Sequence, residues 1–326
     1  MLELFLVLAA SYAITYASVP WLIPRLLKAR ISGKDMNKNG TPEIAEMGGF
    51  AIIAGFIVGL LLVIGLSTFG IIGIKINLPI LLASLSTILI MAVIGIIDDL
   101  FLIRQQIKAI LPIFASLPLV AVSAGVSHMY FPLIGVIDFG LIYPLILIPI
   151  AITGASNATN MLAGFNGLEA GLGAVMLATI GIVSYSAGRT EAVILSFAML
   201  GALLAFLKYN WYPARIFIGD IGTLIIGATV AVSVIVGNIE KIGIILILPF
   251  ILELYLKAKG RFNSQSWCKL QDDGKLICPK RGEIHGLGRL IMHLTGGIKE
   301  KPLVITLIII ESVFAIIALI SIFLIL

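Results

Sequence analysis

The chain has 326 residues, 60% of them hydrophobic and 12% charged, with a formal net charge of +5. An ordinary soluble domain carries about 25% charged residues, and a mean hydropathy of +1.14 leaves too little polar surface to face water. A soluble enzyme, a disordered segment and a disulfide scaffold are thereby excluded. The apolar runs are continuous, without the alternation of a membrane β-barrel. The remaining fold class is an all-α polytopic integral membrane protein.

A membrane-spanning helix needs about 20 mostly apolar residues. In chain order the apolar runs are 2–27, 48–68, 78–97, 108–125, 140–153, 170–187, 191–207, 221–237, 242–257 and 302–326, which predicts about ten transmembrane helices. The first run passes straight into a basic segment without a small-residue cleavage site, so it reads as a retained helix. The fifth is short and holds Pro144 and Pro149, and Val136–Gly140 before it reads as an extended or turn piece outside the bilayer. No internal repeat or low-complexity tract is present. The expectation is one membrane-embedded domain over 1–326, with a long loop at 257–301.

Ten spans make the loops alternate between two sides. Of the 22 Lys and Arg residues, 19 then fall on one side; only Lys75, Arg189 and Lys241 fall on the other. The positive-inside rule makes the rich side cytoplasmic and puts both termini outside. The basic charge thus records topology and attraction to membrane lipids, not nucleic-acid binding. The cytoplasmic loops also hold the unusual polar clusters: Gly33–Glu46, Asp98-Asp99, Asn157–Glu169, Asn210–Asp220 and 257–301. Five segments on one face predict a composite active site at the cytoplasmic face of the cell membrane.

Asp98-Asp99 closes an apolar helix, where two carboxylates repel each other and meet the negative end of the helix dipole. The pair is either a solvated helix end or a site where Mg²⁺ or a basic partner offsets the repulsion. Asn157 and Asn160, three apart, share a face if helical. They belong either to a polar turn or to a set of amide oxygens for a hard cation. Asp220 opens the run 221–237 as a plain cap or as a cation ligand, and Phe217 is a membrane anchor or a stacking surface for a base. Cys268, Cys278, His285 and His293 lack the spacing of a structural zinc site. His128 reads as structural, and Glu311 sits inside the last span, where a carboxylate is a functional candidate by default.

Taken together and in order, the runs Asn157–Gly171 and Asn210–Asp220, preceded by Asp98-Asp99 and Lys108, resemble the polyprenyl-phosphate N-acetylhexosamine-1-phosphate transferases. Gly33–Lys38 and Pro42-Glu43 look like the first cytoplasmic loop of the archaeal and eukaryotic dolichyl-phosphate GlcNAc-1-phosphotransferase branch. The resemblance runs from about residue 33 to 237. It implies transfer of N-acetylhexosamine 1-phosphate, GlcNAc 1-phosphate in this branch, from a UDP-sugar to polyprenyl or dolichyl phosphate. UMP is released, and the step is the first membrane step of glycan assembly.

The resemblance implies Mg²⁺, with Mn²⁺ as the alternative ion, held by Asn160 and Asp220. It implies catalytic roles for Asp98, Asp99 and Lys108. Substrate contacts are implied for Glu43, Asn157, Asn166, Glu169, Asn210 and Phe217, with Phe217 on uracil and Asn166 on the nucleoside. For the diphosphate two alignments compete: Lys259-Gly260-Arg261, with Gly260 in place of a central His, or Arg281 and His285. A homodimer is compatible with this reading. A multi-span transporter of a phosphorylated or anionic solute is the alternative; it predicts midplane polar groups and repeated halves. A phosphatidyltransferase of the CDP-alcohol type would need a compact Asp-rich motif that is absent.

Overall fold

The computed structural model describes residues 2–101, 103–131, 135–262, 269–278 and 284–323. The apolar runs form helices α1 (Leu2–Lys28), α2 (Gly49–Thr68), α3 (Leu78–Phe101), α8 (Leu168–Ser186), α9 (Thr190–Asn210), α10 (Gly219–Gly237) and α13 (Glu300–Phe323). Among the described residues these seven are long and apolar enough to cross a membrane. The other three predicted runs are also helical but interrupted or more polar. The run 108–125 is three short helices, α4 (Gln105–Ile110), α5 (Pro112–Ala115) and α6 (Leu117–Ala121), restarted at Pro112 and Pro118 because proline has no N–H to continue the ladder. The run 140–153 is a π-helical turn, Tyr143–Leu147, leading into α7 (Ile148–Met161), and the run 242–257 is α11 (Glu240–Lys259). A short amphipathic helix, α12 (Leu287–Leu294), precedes α13.

Among the described residues three two-stranded hairpins join these helices: β1 (Ser32–Lys34) with β2 (Glu43–Ala45), β3 (His128–Phe131) with β4 (Gly135–Asp138), and β5 (Lys269–Leu270) with β6 (Leu276–Ile277). Strand β4 covers most of the piece expected to be extended before the fifth run. At β3–β4, exposed His128 and Asp138 pair at 3.6 Å and Ser127 donates to Asp138 at 2.6 Å.

Helix α10 is buried almost all round, as an all-apolar helix in the middle of a bundle must be. Two glycines set how near its neighbours come. A Cβ on Gly95 of α3 would lie 2.4 Å from the Ile221 Cα, and one on Gly227 of α10 would lie 2.4 Å from the Ala155 carbonyl of α7. Small residues at such crossings let membrane helices approach closely. Here they bring the C-terminal ends of α3 and α7 to the N-terminal end of α10. The bundle exterior is apolar, with Phe5, Trp21, Phe114, Ile150 and Ile309 exposed.

Candidate active site

Asp220 is the second residue of α10, whose first turn has no side-chain cap of its own. Asp99, from the last turn of α3, supplies one. Its Oδ1 accepts the Asp220 N–H at 2.7 Å and its Oδ2 the Ile221 N–H at 3.1 Å. A carboxylate there satisfies two orphan donors and faces the positive end of the helix dipole. Asp98 is buried and accepts the Ile103 N–H at 3.0 Å. The Lys108 ammonium pairs with Asp98 and, at 2.7 Å, with Asp220. The adjacent acids therefore diverge: Asp98 faces Lys108, and Asp99 holds the start of α10.

Asn160 reaches the same point from the last turn of α7. Its amide donates to Asp220 and to the Thr223 hydroxyl at 2.8 Å, while Thr159 donates to the Thr223 carbonyl at 2.8 Å. Asn157, on the same helix, donates to the Thr153 and Ala109 carbonyls at 2.9 and 3.1 Å, so it ties α7 to α4.

The β1–β2 hairpin forms a second wall. Phe217 donates its N–H to the Ala45 carbonyl at 2.7 Å, and its carbonyl accepts the Gly48 N–H at 2.8 Å. A Cβ on Gly33 would lie 3.1 Å from Glu46 Oε2 and 3.3 Å from the Phe217 ring. Glycine thus leaves room for both side chains beside the hairpin. Burial pushes the Glu46 carboxyl above its ordinary range, and the negative charge of Asp220 pushes it further. Glu46 was not singled out in the sequence. Glu43, the substrate contact implied by resemblance, lies exposed on β2 with its carboxylate held by the Ser32 hydroxyl. The acid that faces Asp220 lies three residues on, past the end of the strand.

Asn166 is buried, and both ends of its amide are engaged. Oδ1 accepts from the Ala214 N–H at 2.8 Å and from Lys38 at 3.1 Å, and Nδ2 donates to Asp35 at 3.2 Å. Its N–H also goes to Glu300 at 2.8 Å. Lys38 completes this cluster by pairing with Asp35 at 3.0 Å and with Glu300, and it lies 4.3 Å from the Tyr212 ring centre. The nucleoside contact implied by resemblance thus falls on a residue whose side chain joins two other loops and whose backbone N–H is bonded to Glu300 of α13. Glu169 is buried and accepts the Gly164 N–H at 2.6 Å, and buried Asn210 donates to the Ile216 carbonyl at 2.8 Å. Both shape the loops beside the site.

Gly260 of one alternative in the 257–301 loop lies beside His285 of the other. A Cβ on Gly260 would lie 2.5 Å from the His285 ring, so the imidazole packs where a side chain at 260 would stand. Lys259 and Arg261 are exposed at the end of α11. Arg281 and Cys268 lie outside the described residues; Cys278 is buried. Glu311 is buried eleven residues into α13, about 16 Å along the helix from Glu300 at a rise of 1.5 Å per residue.

Asp98, Asp220 and Asn160 carry oxygen atoms of the hard kind that suits Mg²⁺ or Mn²⁺, while both oxygens of Asp99 are bonded to the first turn of α10. Among the described residues no group of three or more His, Cys, Asp or Glu side chains is arranged to hold a metal alone.

Residues 80–238 match the model of glycosyl transferase family 4. A relative from Saccharolobus solfataricus, provisionally named a UDP-N-acetylglucosamine–dolichyl-phosphate N-acetylglucosaminephosphotransferase, is 37% identical over 98% of this chain and 97% of its own. The protein of that name from Dictyostelium discoideum is 28% identical over 92% of this chain and 83% of its own. A phospho-N-acetylmuramoyl-pentapeptide-transferase from Halalkalibacterium halodurans is 33% identical over 78% and 81%.

Proposed function

The chain belongs to glycosyl transferase family 4, and we propose that it transfers GlcNAc 1-phosphate from UDP-GlcNAc to a polyprenyl or dolichyl phosphate, releasing UMP. The observation that carries this reading is the meeting of Asp98, Lys108, Asn160 and Asp220 from four separate segments at one end of an apolar bundle. Three phosphates converge in such a reaction, and a lysine among oxygen donors at a membrane surface answers both the charge and the location. A transporter predicts polar groups at the bilayer midplane, whereas these clusters lie at the helix ends.

Asp220 and Asn160 would hold Mg²⁺. When bound, the ion supplies charge neutralisation at the diphosphate and at the departing UMP. Lys108 adds a fixed positive charge to the same place, and Asp99 fixes the first turn of α10 that carries Asp220. The acceptor phosphate is already largely ionised near neutral pH. An acceptor oxygen attacks the sugar-bearing phosphorus directly, and the bond to the UMP oxygen breaks. Asp98 orders the acceptor or takes its residual proton. Phe217 stacks on uracil, and His285 with Lys259 and Arg261 faces the diphosphate.

A cavity of about 410 Å³ between α7, α10 and α11 supports a lipid acceptor. Its walls include Leu147, Ile148, Ala151, Val230, Ile247 and Phe250, and it reaches Ala158 and Leu254 towards the site. An isoprenoid chain can lie there with its phosphate at the polar end. In this reading α4–α6, the segment of Tyr143–Met161 and α11 complete ten spans, the site is cytoplasmic and both termini are outside. Cysteines introduced near Lys38 and Lys275, with Cys268 and Cys278 replaced, should be labelled only from the cytoplasmic side.

The experiment is UMP release by purified protein supplied with UDP-GlcNAc. Release should require both Mg²⁺ and polyprenyl phosphate. Release without a lipid acceptor, or none with it, would remove the assignment.

A further inference from the structure

Helix α11 carries a charge pair that the proposed reaction does not use. Glu253 is buried and Lys257 nearly so, one turn apart with Nζ 3.5 Å from Oε1. The pair also reaches two other elements. Lys257 donates to the carbonyl of Met161, the last residue of α7 and the neighbour of Asn160. Glu253 Oε2 accepts the N–H of Leu287, the first residue of α12, at 2.6 Å. Both partners are orphan helix-end groups, one carbonyl and one N–H. A Cβ on Gly286 would lie 3.0 Å from Glu253 Oε1, so glycine permits this approach.

On one side of this pair stand Asn160 and Asp220. On the other stand His285 and Arg289, which line a small pocket together with Lys257, Glu253, Ala163 and Phe165. Burying two charges costs free energy that an apolar pair would avoid. Packing alone therefore does not explain them, whereas joining three helix ends in one register does.

We infer that Glu253 and Lys257 are positioning residues: their ion pair fixes the separation between the Asn160–Asp220 cluster and the basic segment at His285–Arg289, and so aligns the donor diphosphate for attack. The inference rests on the proposed transferase reading. Misplaced charges cost most where charge develops in the transition state. The effect should appear in kcat more than in KM.

The test compares Lys257→Met, Lys257→Arg, Glu253→Gln and the Glu253→Gln/Lys257→Met double variant, each purified and monodisperse. Lys257→Met should lower kcat at least tenfold while the KM for UDP-GlcNAc moves less than about threefold. Lys257→Arg, which can still reach Met161 and Glu253, should recover most of the loss. The double variant should be no worse than Lys257→Met, because the two groups act as one unit. Independent multiplication of the losses, a KM that rises in step with the fall in kcat, or an Arg variant as poor as Met would overturn the inference. Wild-type protein that releases no UMP would overturn the transferase reading instead.

Discussion

Both carboxylate oxygens of Asp99 are bonded to the backbone of the turn that carries Asp220, at 2.7 Å to the Asp220 N–H and 3.1 Å to that of Ile221. Asp98, one residue earlier, bonds neither N–H; its carboxyl meets the Asp220 side chain instead. Two adjacent acids of the same type thus stand in different positions. Asp98 shares Lys108 with Asp220, and Asp99 holds Asp220 in place.

That division separates their variants. Asn at 99 keeps one acceptor but turns an amide donor towards the second N–H and loses the charge that faces the helix dipole. Asp99→Asn should cost about 1–3 kcal/mol of stability, visible as a lower Tm, with activity falling alongside. Asp98→Asn should lower kcat with UDP-sugar binding nearly intact. Thermal unfolding and nucleotide-sugar titration on the same preparations check both. Equal Tm losses with equal kcat losses would contradict the division.

The cation reading makes its own forecast. Asp220→Ala removes the carboxylate shared by Lys108 and Asn160 and should abolish turnover. Asn160→Ala should lose activity that excess Mg²⁺ partly restores, because a neutral ligand is the easier to replace. Mn²⁺ binding followed by electron paramagnetic resonance should weaken in both variants even without substrate. Unchanged Mn²⁺ binding in Asp220→Ala would remove that residue as a ligand.

Glu46 gives a pH dependence. Its folded-state pKa is raised from 4.5, by burial first and by Asp220 second. A raised carboxyl binds its proton more tightly folded than unfolded. Its contribution to stability is therefore greatest at low pH and is lost as pH rises from about the unfolded value through the folded one. Glu46→Gln removes this penalty, so the variant should gain Tm over the parent as pH rises from 4.5 to 8 and match it most closely at the acid end. A Tm difference that does not change with pH would show that Glu46 ionises as an ordinary exposed acid.

These cases also mark what the sequence makes legible. Asp98-Asp99, Asn160 and Asp220 stand out because polar residues at the ends of apolar runs need a reason, and the structure brings them together. Glu46 does not stand out, because the difference between it and Glu43 depends on where β2 ends and which way the chain turns afterwards. The clusters of Lys38 with Glu300 and of Lys257 with Met161 join residues 262 and 96 positions apart, and no local pattern records such pairs. The breaks at Pro112 and Pro118 are plain in the sequence, yet hydropathy averages over them and reports one run.

The ring of Phe217 allows a clean test because its backbone, not its side chain, holds the local fold. Its N–H and C=O are bonded to Ala45 and Gly48 at 2.7 and 2.8 Å, and alanine keeps both. The ring itself is half-buried beside Gly33 and Glu46, available to stack on a base. The bonding of uracil does not change during phosphoryl transfer, so stacking stabilises ground and transition states alike and acts on KM. Phe217→Ala should therefore raise the KM for UDP-GlcNAc at nearly constant kcat, by the equivalent of about 1–3 kcal/mol if the contact resembles other base–aromatic stacking. The KM for the polyprenyl phosphate should stay unchanged, and Phe217→Trp should preserve most of the affinity. Steady-state kinetics with each substrate varied in turn measures all three. A Phe217→Ala protein with wild-type KM for the donor, or one whose acceptor KM rises equally, would place the base elsewhere.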